Sequence, residues 1–294
     1  MAETTFGGQA VMEGVMMRGK GGVCVAVRRQ DGAISLHREN PSLLSQRYGI
    51  LKLPILRGSA AFVDTLAIGL DALMYSARES GEEEEISRGA MGFSMVLGIV
   101  LSVGLFILLP TVLARFVLGF VSLSPFLSNL VEGAIRIAIF FAYITAVSVI
   151  PDMRRFYQYH GAEHKTIFCF EAGKPLTVEN ARQQSCLHPR CGTAFLLIVM
   201  VTSILVFSFF GWPNMWVRLG TRLLLLPLVA GLAYEVIRAS GRSSHPLWRV
   251  ITWPGLMLQK ATTREPDDSQ IEIAIAALQG ALELEHDMRS QENA

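Results

Sequence analysis

The stretch "MGFSMVLGIVLSVGLFILLPTVL", residues 91–113, carries no charged side chain and is apolar along its whole length. A helix that spans a bilayer needs about twenty such residues, because each residue advances the helix by about 1.5 Å. The stretch therefore predicts a transmembrane helix. It also sets the fold class within which the remainder of the chain is interpreted.

The composition agrees with a membrane protein. Hydrophobic residues make up 51% of the chain and charged residues 17%, against about 25% charged in an ordinary soluble domain. A net charge of +1 excludes the strongly basic balance typical of proteins that bind nucleic acid. The first residues, "MAETTFGGQAVMEG", lack the basic and apolar regions of a secretory signal. The expected partner is thus the lipid bilayer.

Three more segments are candidates for crossing the membrane. Leu130–Ile150 carries Glu132 and Arg136, spaced four apart so that they can pair on one helix face. Thr193–Trp212 is uncharged, and Met215–Ile237 carries charges only towards its ends. Together with residues 91–113, these segments predict a mainly α, polytopic membrane protein with about four transmembrane helices.

Polar modules are expected at both ends of the chain. In residues 1–53, "VCVAVRR" and "AISLHRE" flank "QDG", a pattern that predicts a β-hairpin within a small α+β module. Residues 54–90 predict an amphipathic helix packed at the membrane, followed by an acidic linker. Residues 238–294 predict an interfacial segment and then a cytoplasmic amphipathic helix. The apolar side of that helix carries Ile271, Ile275, Leu278 and Leu282.

The distribution of Lys and Arg predicts the orientation. These residues concentrate before residue 91, within 151–192 and after 237, whereas residues 114–129 hold only Arg115. Because basic loops stay in the cytoplasm, both termini and the 151–192 loop are expected there. The predicted division of the chain is 1–53, 54–90, 91–150 (transmembrane helices 1 and 2), 151–192 (metal-site loop), 193–237 (transmembrane helices 3 and 4) and 238–294.

The sequence "YHGAEHKTIFCFE", residues 159–171, contains a pattern typical of metal sites. His160 and His164 lie one helical turn apart, so both imidazoles can bind one ion. Glu163 stands beside them and can act as a general base toward water. The order His-x-x-Glu-His is the inverse of the order found in common zinc peptidases. We therefore predict a divalent metal site, zinc being the expected ion, with Glu163 as the catalytic residue.

Further candidate ligands lie elsewhere in the chain. "SCLHPRCGT" places Cys186, His188 and Cys191 just before the third apolar segment, and reduced cytoplasmic thiols are good zinc ligands. Glu235 lies near the cytoplasmic end of the fourth segment. It is either another metal ligand or a carboxylate that snorkels or pairs with Arg238.

Several segments together resemble a known family. "GGQAVMEGVMMRG", "YHGAEHKTIFCFE", "HPRCGTAF", "LPLVAGLAYEVIR" and "PGLMLQKATTREPDD" are similar to the DUF1385, or YqhQ-like, family of bacterial integral membrane proteins. The resemblance runs nearly end to end. It implies a multi-pass protein of the bacterial inner (cytoplasmic) membrane that is a metal-dependent enzyme, and it marks His160, Glu163, His164, His188 and Cys191. It implies no substrate.

Three functions are compatible with these residues. The first is a membrane-embedded zinc hydrolase that acts at the cytoplasmic face on a peptide, lipid or lipid-linked substrate. In this hypothesis His188 or Glu235 is the third metal ligand beside His160 and His164, and a fourth position stays open. The second is a non-enzymatic scaffold or assembly factor with a closed site of four His and Cys ligands. The third, an ion transporter, is disfavoured because residues 91–113 and 193–212 carry no ionisable side chain in the membrane.

Overall fold

The structure is a computed structural model, and it describes residues 6–81, 88–189, 191–211, 213–240 and 246–292. These residues are mostly helical, with one small antiparallel sheet near the N-terminus. Most of the predicted acidic linker lies outside the described residues. The α-helices are α1 (Leu44–Arg47), α2 (Leu56–Glu79), α3 (Arg88–Val103), α4 (Leu109–Leu118), α5 (Pro125–Val147), α6 (Pro151–Glu171), α7 (Val178–Arg182), α8 (Gly192–Ser208), α9 (Met215–Leu224), α10 (Leu226–Ser240), α11 (Pro246–Thr262) and α12 (Asp268–Glu292).

The sheet is a four-stranded meander in the order β1-β2-β3-β4. The predicted hairpin is confirmed, since β3 and β4 pair antiparallel around the "QDG" turn, in which Gly32 has a φ of +85°. Glycine adopts this backbone conformation without the steric cost that a side chain would bring. The strands are β1 (Gly7–Val11), β2 (Gly14–Arg18), β3 (Val23–Arg28) and β4 (Ile34–Glu39).

Helices cover both faces of the sheet. The C-terminal helix α12 buries Ile271 and Leu278 against Met17 and Cys24 of the strands, which confirms that its apolar side packs on the N-terminal module. On the other face, α2 packs with side chains that include Ile68. Side chains alternate between the two faces of a strand, so a sheet covered on both sides is apolar at successive positions, as β3 is here.

Three of the described helical segments are long and apolar enough to cross a membrane: Leu56–Glu79, Val96–Leu118 and Pro125–Val147. The second of them joins α3 to α4 through a single π-helical turn at Gly104–Leu108. Large apolar side chains such as Leu101 and Phe116 are exposed on these helices. Exposed apolar surface of this kind suggests association with a membrane.

Two predicted spans differ from the structure. The segment predicted as Thr193–Trp212 forms α8, which ends at Ser208 and at 17 residues is shorter than a full span. The segment predicted as Met215–Ile237 forms two helices bent by 48° at Leu225, and by length and composition this pair still fits a fourth span that is broken at the bend. Conversely, α2 was expected to lie at the membrane surface, although its length and composition also fit a span. Hydropathy detects apolar length but not where a helix bends or stops.

Candidate metal centre

Helix α6 carries the histidine pair. Pro151 opens the helix, and the chain leaves it at Gly173, whose φ is +65°. The sequence accounts for both boundaries, because proline suits the first helical turn and glycine suits the residue that ends a helix. His160 and His164 lie on the same face with ring centroids 4.5 Å apart. Both histidines are buried, so their polar atoms need partners within the protein.

Backbone carbonyl groups define the protonation of the two rings. Nδ1 of His160 lies 2.7 Å from the Thr262 carbonyl oxygen, and Nδ1 of His164 lies 2.5 Å from the Cys186 carbonyl oxygen. A carbonyl oxygen only accepts hydrogen bonds, so each Nδ1 must carry the proton and donate it. Each neutral ring therefore presents the lone pair of Nε2. Histidines that bind metals are oriented by this type of second interaction.

Cys191 completes a group of three ligands. It is the N-cap residue of α8, where its Sγ accepts a hydrogen bond from the Thr193 amide. This position puts Sγ 3.1 Å from Nε2 of His160. Suitable ligand atoms of His160, His164 and Cys191 all lie within 4.8 Å of one another. Two ligands bound to one zinc ion are separated by roughly 3.3–3.6 Å, given Zn–N and Zn–S bonds of about 2.1 and 2.3 Å in tetrahedral geometry.

One buried atom tests the fit of a metal. Nε2 of His164 is buried and has no hydrogen-bond partner among the described residues. Such an atom costs about 1–3 kcal/mol if it stays unpaired, and coordination of a cation would satisfy it. Two imidazoles and one thiolate suit zinc better than they suit calcium or magnesium. The donor set and the unpaired nitrogen therefore fit the predicted divalent metal.

Glu163 lies on the edge of the group. Its carboxylate is 3.9 Å from Nε2 of His160 and accepts a hydrogen bond from the Gly8 amide of β1. Burial raises the pKa of this carboxyl to about 7, although the electrostatic interaction with His160 and the Gly8 hydrogen bond oppose the rise. A base with a pKa near neutrality is well suited to accept and return a proton.

A cavity of about 390 Å³ opens beside the ligands. Its walls come from β1 and β2 on one side and from α6 and the start of α8 on the other. Glu163, His164 and Cys191 reach this cavity, and the basic side chains of Arg18 and Lys20 also line it. The candidate metal ligands thus lie beside a cavity of the size that small ligands occupy.

The structure places Cys186 near the group but turns its thiol away. Sγ of Cys186 lies 3.3 Å from a carboxylate oxygen of Glu265. Burial, together with the hydrogen bond to Glu265, raises the pKa of this thiol to about 12. The Cys186 thiol therefore faces Glu265 and is not among the three residues whose ligand atoms converge. Cys186 contributes instead through its backbone carbonyl, which orients His164.

His188 is close to the group without belonging to it. Its ring centroid lies 5.6 Å from that of His164, and its Nε2 lies 3.5 Å from a carboxylate oxygen of Glu171. Burial and the nearby His164 lower the pKa of His188 to about 4. The side chain of Gln259 bonds both the amide and the carbonyl of His188, each at 2.8 Å. His188 thus forms a neutral part of the cavity wall.

Glu235 lies in a different environment. Its carboxylate forms an ion pair with Arg57 of α2, with Nε 2.7 Å from Oε1. It is not a member of the ligand group found among the described residues. The expected salt bridge is therefore present, with Arg57 rather than Arg238 as the hydrogen-bonded partner.

Sequence reasoning missed several residues that build the site. The Gly8 amide and the Thr262 carbonyl act through the backbone, and Gln259 acts from a helix distant in sequence. The sequence signal that could have indicated Gly8 is the glycine-rich segment "GGQAVMEGVMMRGKGG", because glycines allow close backbone approach. A Cβ atom at Gly8 would lie 2.7 Å from Cγ of Glu163, so only glycine fits there without a shift.

Comparisons with known proteins give a consistent family assignment. The model of the family described as "Protein of unknown function (DUF1385)" matches residues 53–284. A curated relative, "Uncharacterized protein YqhQ" of Bacillus subtilis (strain 168), is 35% identical over 300 aligned positions. The alignment covers 95% of this chain and 93% of the relative. No solved structure matches the chain.

Proposed function

The chain belongs to the DUF1385 family, and on that premise we propose that it is a metal-dependent hydrolase of the bacterial inner membrane. The observation that carries the proposal is the convergence of His160, His164 and Cys191 beside a cavity that Glu163 also reaches. Three protein ligands next to open space are typical of catalytic zinc sites, whereas structural zinc sites use four.

Each residue of the site has a separate task in this proposal. His160, His164 and Cys191 would hold the ion, and a bound zinc ion would supply Lewis acidity toward water and toward a carbonyl or phosphoryl oxygen. Glu163 accepts a proton from water in the cavity and returns it to the leaving group. The Gly8 amide holds the carboxylate of Glu163 in place while it does so.

The proposed setting is the cytoplasmic face of the membrane. The three helices that could span a bilayer support membrane association, and the positions of Lys and Arg favour cytoplasmic termini. A site between the N-terminal sheet and the start of α8 would then lie where the membrane meets the cytoplasm. A peptide or lipid-linked substrate could reach it from the bilayer surface.

The alternative is a scaffold protein with a closed structural site. It requires a fourth protein ligand, for which Cys186 and His188 were the candidates. The Cys186 thiol instead faces Glu265, and Nε2 of His188 faces Glu171. Both orientations favour the open site.

Metal content tests the proposal directly. Detergent-purified protein would be measured by elemental mass spectrometry after exposure to zinc and removal of the excess. We expect about one ion per chain in the wild type, and its loss in His164→Ala and Cys191→Ser. Glu163→Gln and Cys186→Ser should keep the ion, because neither side chain is assigned as a ligand.

An exposed histidine supplies the matched control. His286 lies on the exposed side of α12, so His286→Ala should keep the metal. A wild type that binds no zinc would overturn both metal-dependent readings. Loss of the ion in Cys186→Ser would instead favour the closed four-ligand site and the scaffold.

A further inference from the structure

A second polar cluster lies within the apolar helices and takes no part in the proposed hydrolysis. Glu132 of α5 is 1% exposed. Its carboxylate accepts hydrogen bonds from Arg136 at 2.9 Å and from the Thr111 hydroxyl at 2.9 Å. It also forms ion pairs with Arg222, at 2.7 Å, and with Arg218. Ionisable side chains among apolar helices are costly and usually serve a function.

The charges of this cluster do not balance. Among the residues that the structure describes, three guanidinium groups form ion pairs with one carboxylate, so that the positive charges in the cluster outnumber the negative one. Glu132 is the only acidic residue between Arg88 and Asp152, and none lies between Glu179 and Glu235. Helices α3, α4, α5, α8 and α9 therefore offer no second carboxylate. Arginine does not lose its proton in proteins, so the excess cannot be removed by titration.

The Arg57–Glu235 pair provides an internal contrast. It also joins two apolar helices, but there one guanidinium meets one carboxylate. A buried excess of positive charge is unfavourable unless an anion compensates it. Among the described residues, the unequal cluster is therefore better suited than the equal pair to accept an anionic ligand.

The cluster has an opening through which an anion can reach it. A cavity of about 20 Å³ is lined by Asn129, Arg218, Thr221 and Arg222, with Phe207 and Phe210 among its apolar walls. This volume admits about one water-sized group. One oxygen of an oxyanion would therefore enter the cavity, while the remaining atoms of the oxyanion would stay at the cavity opening. Arg218 and Arg222 are one turn apart on α9, and paired guanidinium groups bind phosphate oxygens well.

The location of the opening indicates the source of the anion. The Asn129 amide donates a hydrogen bond to the carbonyl of Gly211, which follows the C-terminal end of α8. Cys191 of the metal centre caps the N-terminal end of the same 17-residue helix. The two sites are thus separated by about 26 Å, the length of that helix. If the apolar helices cross the membrane, the cluster faces the headgroup region opposite the metal centre.

We propose that Arg218 and Arg222, organised by Glu132, form a phosphate-binding site for the headgroup of an anionic membrane lipid, with Arg136 adding to the positive charge of the cluster. Free inorganic phosphate offers the same chemistry, and the test below separates the two sources. The site is independent of the proposed hydrolase activity, since it shares no residue with the metal centre.

The test measures thermal unfolding of the full chain in an uncharged, phosphate-free detergent buffer. Phosphatidylglycerol, phosphatidylcholine and inorganic phosphate would each be titrated in separate series. We expect saturable stabilisation by phosphatidylglycerol at concentrations at least tenfold below those required for phosphatidylcholine or inorganic phosphate. Stabilisation by inorganic phosphate alone would support the anion site and overturn the lipid as its source.

Arginine variants assign the response to the cluster. Arg222→Gln should weaken phosphatidylglycerol binding roughly tenfold to a hundredfold, as expected for the loss of a charge-assisted hydrogen bond. Arg222→Lys keeps the positive charge but lacks the paired N–H donors of the guanidinium group. Its affinity for phosphatidylglycerol should lie between those of the wild type and Arg222→Gln. It also replaces Arg222→Gln in the test if that variant does not fold. Arg57→Gln is the matched control and should bind as the wild type does. An equal response in wild type, Arg222→Gln and Arg222→Lys, or no response to any anion, would overturn the proposal.

Discussion

The substitution Gly161→Ala tests how the metal centre is held together. Gly161 follows His160 on α6, and a Cβ atom there would lie 2.1 Å from the carbonyl oxygen of Arg264. The amide of Arg264 donates a 2.9 Å hydrogen bond to the Tyr157 carbonyl, so this segment is fastened to α6. The same segment contains Thr262, whose carbonyl orients His160. An added methyl group therefore presses on the backbone that positions a ligand.

The size of the effect follows from that contact. A carbon and a carbonyl oxygen approach to about 3.3 Å at the closest, so the Arg264 backbone would have to retreat by about 1 Å. Glycine to alanine in a helix contributes about 1 kcal/mol of stability, while overpacking costs about 1–3 kcal/mol and occasionally more. We expect a net loss of up to about 2 kcal/mol. Because the His160 hydrogen bond is displaced as well, zinc affinity should fall roughly tenfold to a hundredfold.

Two measurements on the same samples check this expectation. Thermal unfolding in detergent reports stability, and competition with a chromogenic chelator reports zinc affinity. Gly98→Ala is the matched control, because Gly98 lies within α3 with nothing near its would-be Cβ atom. That control should be at least as stable as the wild type and should bind zinc equally well. If Gly161→Ala behaved like Gly98→Ala in both assays, the close packing of α6 against residues 262–264 would be refuted.

Three further perturbations give distinct outcomes. Glu132→Gln should destabilise the protein by about 3–5 kcal/mol, because it leaves buried arginines without their carboxylate. Glu235→Gln, at a partly exposed pair, should lose about 1 kcal/mol or less; equal losses in thermal unfolding would contradict the burial of the cluster. Gly280→Ala should destabilise by about 1–3 kcal/mol, since its Cβ would lie 2.3 Å from Sγ of Cys24. Adding Cys24→Ala should recover most of that loss in denaturant unfolding, and no recovery would argue against this contact. The last perturbation is pH, applied to metal-free protein. The folded-state pKa of Glu163 is raised from 4.5 to about 7, so its contribution to stability is present below pH 4.5 and is lost as the pH rises through 7. We therefore compare the free energy of unfolding of Glu163→Gln with that of the wild type at two pH values. The difference should shift in favour of Glu163→Gln by up to about 3 kcal/mol between pH 4.5 and pH 8. If the difference were the same at both pH values, the raised pKa would be contradicted.

The features that could be predicted from sequence are those fixed by neighbouring residues. The "QDG" turn specifies a hairpin locally, and Pro151 and Gly173 delimit α6 by their own backbone preferences. The apolar side of α12 follows from helical periodicity, because residues three and four apart share a face. His160 and His164 meet for the same reason.

The choice among candidate ligands could not be predicted, because it depends on distant contacts. Cys186 and Cys191 are equally good ligands by type and position in the sequence. Only the capping of α8 turns one thiol toward His160, and only Glu265 turns the other away. Glu235 forms its ion pair with Arg57, which lies 178 residues away in the sequence and which no sequence pattern indicates as its partner.

The polarity of the ligand group supplies the strongest physical reason to expect a cation. Each neutral imidazole donates its single N–H, at Nδ1, to a backbone carbonyl oxygen. Nε2 of His160 and Nε2 of His164 therefore both present lone pairs. A protonated Cys191 could donate to one of them, the His160 nitrogen 3.1 Å away. That hydrogen bond would still leave Nε2 of His164 buried without a donor among the described residues. One ligand atom from each of His160, His164 and Cys191 lies within 4.8 Å of the others, close enough for a single cation to contact all three residues. A single divalent ion satisfies all three atoms at once, which no arrangement of the side chains described here achieves.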